Sequence, residues 1–223
     1  MKKLFVILCL MLFISCSNDE NSNDSSSETI KIGNQIWQSK NLDVETYRDG
    51  TPIPQVTDQD EWSNLTTGAW CYYNNDPANR EKYGKLYNWY AVAGIHDNDP
   101  NTPNKVLAPE GWHVPSDNEW LTLSLFLGGE SVSGGKIKST GTSLWESPNT
   151  GATNESKFNG LPGGYRASDF YYLRKSSHWW SSTSLFNNFE MYAWSVSANF
   201  ESDDFIMWEF DKSQGYSVRC IKD

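Results

Sequence analysis

The stretches Gly111–Trp120, GWHVPSDNEW, and Gly215–Cys220, GYSVRC, carry the strongest information about the fold of this chain. In the first stretch an aromatic turn runs into an apolar segment, and Ser116 and Glu119 have the spacing of a helix capping box. The second stretch alternates polar and apolar residues near the C-terminus, which predicts the closing strand of a small sheet. We therefore expect a capped helix and a closing strand that frame one domain, and such a domain does not require an active site.

The segments before the first stretch have the patterns of short elements joined by long loops. Two alternating runs around a Gly-Asn pair predict a hairpin at 29–37. Residues 49–68 are rich in Pro, Gly, Asp and Thr and are predicted to be loop, followed by a short strand at 69–73. Apolar residues spaced by three and four predict an amphipathic helix at 83–93, with Gly94 as its stop.

The C-terminal half is predicted to hold turns and then strands. Glycine-rich turns are expected from Gly128 to Gly164, because no phosphate-loop spacing is present. A meander of four strands is expected at 179–184, 192–197, 205–210 and 216–222. The expected class is α+β, with two main helices packed on a short-stranded, mostly antiparallel sheet with long loops.

Residues 1–15 have the pattern of a signal peptide. Two lysines precede eleven apolar residues, Leu4–Ile14, whereas a bilayer span needs about 20. A buried first helix is the alternative, although a polar tract follows at once. The residues before Cys16 resemble the lipobox of bacterial lipoproteins, which implies that Cys16 becomes the lipidated first residue of the mature chain.

Residues 16–28 are almost wholly Ser, Asn, Asp and Glu, which predicts a flexible tether between this anchor and a domain at 29–223. The acidic residues directly after Cys16 resemble the surface-export signals of Bacteroidetes lipoproteins. The expected location is therefore the outer membrane, with the lipid-anchored domain exposed at the cell surface.

The chain is strongly acidic, which excludes some partners. It has 28 Asp and Glu against 18 Lys and Arg, and loss of the leader with its two lysines leaves 16 basic residues and a formal charge near −12. Nucleic acid is not an expected partner, because its recognition depends on Lys and Arg that neutralise phosphates. Anionic lipid is equally unfavourable, so we expect membrane attachment through the Cys16 anchor only.

Two cysteines remain after the leader and the lipidation site are set aside, namely Cys71 and Cys220. An even pair in an exported chain favours a disulfide. The alternative is two separate buried thiols.

Several short motifs occur in order along the domain. They include IGNQIW at 32–37, YGKLYNWYA at 83–91, GWHVP at 111–115, LPGGYR at 161–166, WWSST at 179–183 and SVRC at 217–220. Together they resemble the Fibrobacter succinogenes major paralogous domain, over nearly the whole stretch from residue 30 to 223. That domain in turn resembles the C-type-lectin-like fold of the formylglycine-generating and sulfatase-modifying group, so the resemblance implies that fold.

The resemblance implies the fold of that group and not its activity. Formylglycine formation uses two closely spaced cysteines that hold copper, whereas Cys71 and Cys220 are far apart in the sequence. The Glu-Pro-Asn and Trp-Asn-Asp tripeptides that bind calcium and sugar in C-type lectins are also missing. No cofactor is therefore expected.

Calcium remains an alternative at two runs of oxygen-bearing side chains, where plain turns are the competing interpretation. The candidate ligands are Asn74, Asp76, Asp97 and Asp99.

An enzymatic function is not expected. The three histidines are His96 in a polar loop, His113 beside Trp112, and His178 before a tryptophan pair. No metalloprotease, CxxC or serine-hydrolase motif is present. A glycosidase pair among the many carboxylates stays open as an alternative.

A non-catalytic domain that binds glycan or another extracellular ligand is the leading hypothesis, because aromatic side chains stack on sugar faces beside polar groups. The candidate binding residues are Tyr165, Arg166, Tyr171, Tyr172, Trp179 and Trp180. For the two tryptophans the alternative is that they alternate across a strand and pack in the core. The second hypothesis is a structural or adhesin subunit that contacts other envelope proteins through an exposed apolar patch.

Overall fold

The structure is a computed structural model that describes residues 29–185 and 191–223. The predicted signal peptide, the lipidation site at Cys16 and the tether lie outside these residues. Over the described ranges the chain is α+β, with small antiparallel sheets and few helices. In that part of the chain no helix has both the length and the apolar character that a bilayer span requires.

Most of the regular elements are short. The helices in the described part are α1 (Gln59–Ser63), α2 (Arg80–Tyr83), α3 (Trp89–Val92), α4 (Asp117–Phe126) and α5 (Glu130–Ile137). The strands there are β1 (Thr29–Ile32), β2 (Gln35–Gln38), β3 (Trp70–Cys71), β4 (Leu86–Tyr87), β5 (Trp112–His113), β6 (Tyr165–Arg166), β7 (Phe170–Tyr171), β8 (Ser176–Ser184), β9 (Tyr192–Asn199), β10 (Ile206–Asp211) and β11 (Ile221–Lys222).

The strands form two larger sheets and two small ribbons. The first sheet has the order β1-β2-β11-β5 and the second the order β10-β9-β8, while β3-β4 and β6-β7 are two-stranded, all with antiparallel pairing. The predicted hairpin is confirmed as β1-β2, with Gly33 at φ +59° in its turn. Ile221 pairs with both Trp37 and His113, so the first sheet joins the hairpin, the C-terminus and the GWHVP segment.

The capped helix predicted from GWHVPSDNEW is confirmed as α4. The Ser116 hydroxyl accepts a hydrogen bond from the Glu119 backbone N–H, and the Glu119 carboxylate accepts one from the Ser116 backbone N–H at 2.7 Å. Gly128, just past the helix end, has φ +109°. The half-buried Trp112 packs against the larger core cluster, as expected for an aromatic turn.

The closing strand predicted at 216–222 is only partly correct, because GYSVRC is a junction between elements. Gly215 bridges to Arg166, Tyr216 to Tyr87 and Ser217 to Trp179, and each bridge joins a different element. The backbone therefore shares its hydrogen bonds among three neighbours, and only the last two residues of the prediction, β11, form a regular strand. The other three strands of the predicted meander are confirmed as β8, β9 and β10.

The helix predicted at 83–93 is wrong over most of its length. Tyr87 pairs with Trp70 in the β3-β4 ribbon and with Tyr216 at the junction, which holds this part extended. Apart from Tyr83, which ends α2, only α3 is helical in this segment. Helix α3 begins after Asn88, whose side-chain oxygen accepts hydrogen bonds from the N–H groups of Ala91 and Ala69 at 3.0 Å each. Gly94 does lie just beyond its end, at φ +75°.

Two segments expected to lack regular structure contain helices. Helix α1 lies inside the predicted loop 49–68 and begins at Asp58, whose carboxylate accepts a hydrogen bond from Glu61 N–H at 2.8 Å. Helix α5 lies inside the predicted glycine-rich turns, and it is this helix that packs beside α4. The pair of main helices is therefore α4 and α5.

The core is divided by strand β8. Trp179 contacts Trp120 and Phe158 on the face covered by α4. Trp180 contacts Tyr216 on the opposite face, in a second and larger cluster. Because β8 contributes to both clusters, it positions the turn that precedes it relative to the rest of the described domain.

An aromatic cleft as the candidate functional site

Trp179 and Trp180 are not ligand-binding residues. Both side chains are fully buried, on opposite faces of β8, and each indole N–H is satisfied inside the protein. Trp179 donates to the Asn41 side-chain oxygen at 3.0 Å and Trp180 to the Tyr87 carbonyl at 2.8 Å. The alternative interpretation, that the pair alternates across a strand and packs in the core, is therefore confirmed.

Arg166 is also a structural residue, so its prediction as a binding residue is wrong. Its guanidinium is fully buried and donates to the carbonyls of Val56, Thr57 and Asp58 at 2.7–3.1 Å. It also lies over the Trp62 ring, 4.3 Å from its centroid. The guanidinium ties the segment before α1 to β6 and is inaccessible to a ligand.

The tyrosines among the predicted residues do come together. Tyr165 and Tyr172 stack with their ring centroids 5.9 Å apart and an angle of 13° between the planes. Tyr171, which pairs with Tyr165 across the β6-β7 ribbon, lies beside them with its hydroxyl 3.0 Å from that of Ser168. Tyr172 is 54% exposed, so one end of the stack faces solvent.

This stack forms one wall of a cleft of about 270 Å³ on the second sheet, here called the aromatic cleft. Its defining residues are Tyr165, Tyr172, His178, Ile206 and Phe210. His178 on β8 and Ile206 on β10 lie opposite the same residue of the central strand, Ser197, so the three side chains share one face of the sheet. That face is the one that carries Trp180 deeper in the core.

The backbone around Tyr172 is unusual for its residue type. Tyr172 has φ +59°, and its carbonyl accepts hydrogen bonds from Lys175 N–H at 2.9 Å and Ser176 N–H at 3.0 Å. A bulky residue in the left-handed region costs about 1–2 kcal/mol, so the turn holds the ring over the cleft at a cost in stability. Such local strain is a feature of ligand-binding loops.

Polar groups complete the rim of the cleft. Lys175, Asn199 and Glu201 are among its lining residues, together with the sheet hydroxyls of Ser176 and Ser197. The cleft thus combines a flat aromatic surface with hydrogen-bond donors and acceptors, and its rim carries one positive and one negative side chain, Lys175 and Glu201. A lining of this composition can pack against an apolar face of a small ligand and hydrogen-bond to its hydroxyl groups.

His178 contributes a neutral imidazole to this cleft. Burial lowers the pKa of His178 to about 3, so the ring is uncharged at physiological pH. Its Nε2 atom lies 2.9 Å from the Ser176 hydroxyl, while its buried Nδ1 atom has no hydrogen-bond partner in the part of the chain that the structure describes. The ring packs edge-on to Tyr165 at 4.8 Å and stacks on Tyr216 at 4.9 Å.

Most of the lining residues were not predicted as binding residues, among them the large apolar side chains of Phe200, Ile206 and Phe210. Two of them lie in the predicted strand 205–210, where the alternation of side chains indicates that residues 206, 208 and 210 share a face. The alternation identifies which side chains of the strand share a face. It does not show that the turn containing Tyr172 packs over that face.

The predicted calcium residues serve as turn formers in this structure. The Asp76 carboxylate accepts a hydrogen bond from Ala78 N–H, Asp97 one from Asp99 N–H, and Asp99 one from Asn101 N–H, all at 2.9–3.0 Å. Asn74 adopts a left-handed conformation with φ +55°. Over 29–185 and 191–223, no cluster of three or more His, Cys, Asp or Glu side chains is arranged to hold a metal ion.

The predicted disulfide is absent from the structure. Cys71 and Cys220 are free, buried thiols in two different apolar clusters. Burial raises the pKa of Cys71 to about 11 and that of Cys220 to about 12, so both stay protonated. The alternative of two separate buried thiols describes the structure.

Comparisons with known proteins identify the family of this chain but no individual relative or solved structure. A search of curated proteins and a search of solved structures each found no significant match. A sequence model of the Fibrobacter succinogenes major domain matches residues 30–222, which is nearly the whole described domain. The chain therefore belongs to the Fibrobacter succinogenes major domain family.

Proposed function

We propose that this chain is a non-catalytic lipoprotein whose domain, with a C-type-lectin-like fold, binds a glycan at the aromatic cleft. The observation that carries the proposal is the stack of Tyr165 and the exposed Tyr172 beside polar rim groups. The carbon-bound hydrogens of a sugar ring pack on a tyrosine face, while its hydroxyls pair with groups such as Asn199 and Glu201. The volume of the cleft suits a single sugar unit or the end of a chain.

The chemistry of His178 supports binding rather than catalysis. Ser176 and His178 have the contact of a nucleophile and its base, at 2.9 Å. A general base works best with a pKa near the operating pH, however, and this imidazole has a pKa of about 3. Its Nδ1 atom also lacks an orienting carboxylate in the described part of the chain.

The location that we propose is the outer membrane surface, with attachment through the lipid on Cys16 and no required cofactor. The support is the lipobox-like sequence before Cys16 and the acidic residues after it. Metabolic labelling with a palmitate analogue is expected to mark the wild-type chain and not Cys16→Ala. Protease treatment of intact cells should then remove the domain, and a fully protected domain would contradict surface exposure.

A second candidate function is a structural subunit that contacts envelope proteins. The specific observation is that Leu125 and Phe126, neighbours on α4, are 64% and 63% exposed. Large apolar side chains that protrude together are a common feature of protein interfaces. This surface lies on α4 and is distinct from the lining of the aromatic cleft.

The test of glycan binding uses Tyr172→Asn, measured on a glycan array and by titration of the strongest oligosaccharide. Asn is the residue other than Gly that best tolerates a left-handed backbone, so the relief of strain offsets the lost ring contact and the fold should be kept. We expect affinity to fall about tenfold, since a lost aromatic contact costs about 1 kcal/mol or more.

The matched control is Phe126→Ala. Phe126 is an aromatic side chain that is 63% exposed on α4 and does not line the cleft. The affinity of this variant for the oligosaccharide should equal that of wild type. Glycan binding that survives Tyr172→Asn, or an array without any bound glycan, would refute the proposal.

A further inference from the structure

A second cavity, of about 290 Å³, lies between the segment after β2, helix α2 and the C-terminal junction. It is called the cationic pocket here, and the residues that define it are Lys40, Asn41, Asp43, Arg80, Lys82 and Arg219. With Glu81, its lining carries four cationic side chains and two carboxylates. The excess of positive charge contrasts with the acidic character of the whole chain.

Arg80 offers the best-placed donors in this pocket. Its Nε donates to the Asp43 carboxylate at 2.6 Å, and its side chain is 52% exposed. The two terminal nitrogens of Arg80 make no hydrogen bond to any residue that the structure describes. These terminal N–H groups form a planar fork, which matches the two oxygens of a carboxylate, sulfate or phosphate group.

Asp43 orients this fork, and its own position is fixed by hydrogen bonds from Lys85. Lys85 is fully buried and donates to the Asp43 carboxylate and, at 3.2 Å, to the Asp43 carbonyl. The Lys85 ammonium also lies 4.5 Å from the centroid of the Trp70 ring, which fixes its position further. Lys85 also pairs with Glu45 at 3.4 Å, so Lys85 and Arg80 together balance Asp43 and Glu45. What Arg80 offers to an anion is therefore its unpaired fork of N–H donors.

Arg219 places an uncompensated positive charge at the floor. Its guanidinium is 1% exposed and donates to the Gln38 and Phe158 carbonyls and to the Asn41 side-chain oxygen at 2.9–3.1 Å. Within residues 29–185 and 191–223 it has no carboxylate partner. Loss of hydration on burial lowers the pKa of Arg219 to about 9.

Two further cations at the mouth are unpaired. Lys40 and Lys82 are exposed, and neither forms an ion pair with a residue in the described part of the chain. A chain with a large negative charge repels anions over most of its surface. A recess that combines a free arginine fork with a buried cation is therefore the place where an anion is attracted.

We propose that the cationic pocket binds the oxyanion group of a small acidic ligand, a carboxylate or sulfate, with the fork of Arg80 as its main contact. Lys40 and Lys82 neutralise the second charge or steer the ligand, and Arg219 supplies long-range attraction from the floor. The size of the pocket admits an acidic monosaccharide as well as a free ion. This site does not share its defining residues with the aromatic cleft, so it does not depend on the glycan proposal.

The test is calorimetric titration of the full-length chain with sodium glucuronate, sodium sulfate and glucose at constant ionic strength. We expect glucuronate, sulfate or both to bind and glucose not to bind at this site. Arg80→Gln should weaken binding of the anion about tenfold to a hundredfold, the usual effect of losing a hydrogen-bonded charge pair. Arg80→Lys keeps the charge and loses the fork, so it should restore only part of the affinity.

Lys31→Gln is the matched control for charge. Lys31 is exposed on β1, away from the pocket lining, and its loss should leave affinity unchanged. If Arg80→Gln melts at a lower temperature, Lys40→Gln provides a second test of the same pocket. The proposal is overturned if neither anion binds, or if Arg80→Gln and Lys40→Gln behave like Lys31→Gln.

Discussion

Neighbouring residues in this chain have opposite roles because strands alternate their side chains. Tyr165 faces the aromatic cleft, whereas Arg166, the next residue on β6, is buried and bonded to three backbone carbonyls. Trp179 and Trp180 divide in the same way between two core clusters. A motif such as LPGGYR therefore combines a residue that can face a ligand with one that holds the fold together.

The role of Arg166 predicts a loss of stability without a direct loss of binding. Arg166→Leu leaves three carbonyls without their charged donor and is expected to lower the free energy of unfolding by about 2–4 kcal/mol. Arg174→Leu removes an arginine that is exposed and donates to two loop carbonyls, so it should cost less than about 1 kcal/mol. Urea denaturation of both variants measures the difference, and equal costs would contradict the structural role of Arg166.

At the scale of elements, the sequence predicted well wherever a local interaction defines the element. The capping box of α4 and the hairpin turn at Gly33 are examples, because their hydrogen bonds join residues close in sequence. The helix expected at 83–93 failed because Tyr87 pairs with Tyr216, a residue far along the chain. Apolar spacing alone could not show this competing partner.

Helix α5 was missed because two of its residues are glycines, which normally indicate turns. A Cβ on Gly134 would overlap the carbonyl of Asp204, and one on Gly135 would overlap the carbonyl of Gly151. The glycines therefore permit close approach of two loops to the helix, and neither has a positive φ. The physical reason lies in the tertiary packing, which the local sequence does not reveal.

This close packing predicts opposite signs for two alanine substitutions in α5. Gly134→Ala improves helix propensity but forces the Asp204 backbone to move, so we expect a net loss of about 1–3 kcal/mol. Ser131→Ala, on the exposed side of the same helix, should be neutral or stabilising by up to about 0.5 kcal/mol. Thermal unfolding of both proteins decides, and a stabilised Gly134→Ala protein would show that the loops do not pack as described.

The start of α4 is predicted to make stability depend on pH through His113. Burial opposes the charge on His113, but hydrogen bonds and charges from Glu119 and Asp223, at 2.8 Å and 2.7 Å, outweigh it and raise its pKa. Burial likewise opposes the charge on Glu119, yet hydrogen bonds from Ser116 and His113 lower its pKa. The His113 contribution is therefore complete below its unfolded pKa of about 6.5, and the Glu119 contribution is complete above about 4.3.

Between about pH 4.3 and pH 6.5 the His113–Glu119 contact contributes most to the free energy of unfolding. This contribution weakens as the pH rises through the folded pKa of His113. Because the His113 side chain is 39% exposed, the contribution should stay below about 1 kcal/mol. The melting temperature of wild type minus that of His113→Gln should be largest near pH 5–6 and decline toward pH 9. A difference that grows with pH would contradict this account.

At the scale of the whole molecule, the aromatic cleft is assembled from segments that are distant in sequence. Tyr172 comes from a turn after β7, His178 from β8, and Phe210 from the edge strand β10. The sequence predicted the tyrosines and the strands as separate features. It is the pairing of β8 and β10 with β9 at Ser197 that brings His178 and Ile206 together. The cationic pocket was not predicted, because Arg80 and Arg219 meet only after the chain has folded.

The two buried thiols give a final prediction about how the domain unfolds. Cys220 belongs to the cluster that contains Trp180, and Cys71 to a third cluster around Trp62. The Tyr87–Tyr216 and Arg166–Gly215 bridges link the elements around both cysteines, so we expect them to become exposed in a single cooperative transition. In the native state both thiols are buried and protonated at neutral pH, and alkylation should therefore be slow.

Alkylation with iodoacetamide at increasing urea concentrations, followed by peptide mapping, measures each thiol separately. The two labelling curves are expected to share one midpoint, which should coincide with the loss of the near-ultraviolet circular dichroism of the tryptophans. Gln59→Ala removes a side chain close to the Arg166 guanidinium and should shift both thiol midpoints together. Earlier labelling of Cys71 than of Cys220 would instead mean that the cluster around Trp62 opens on its own.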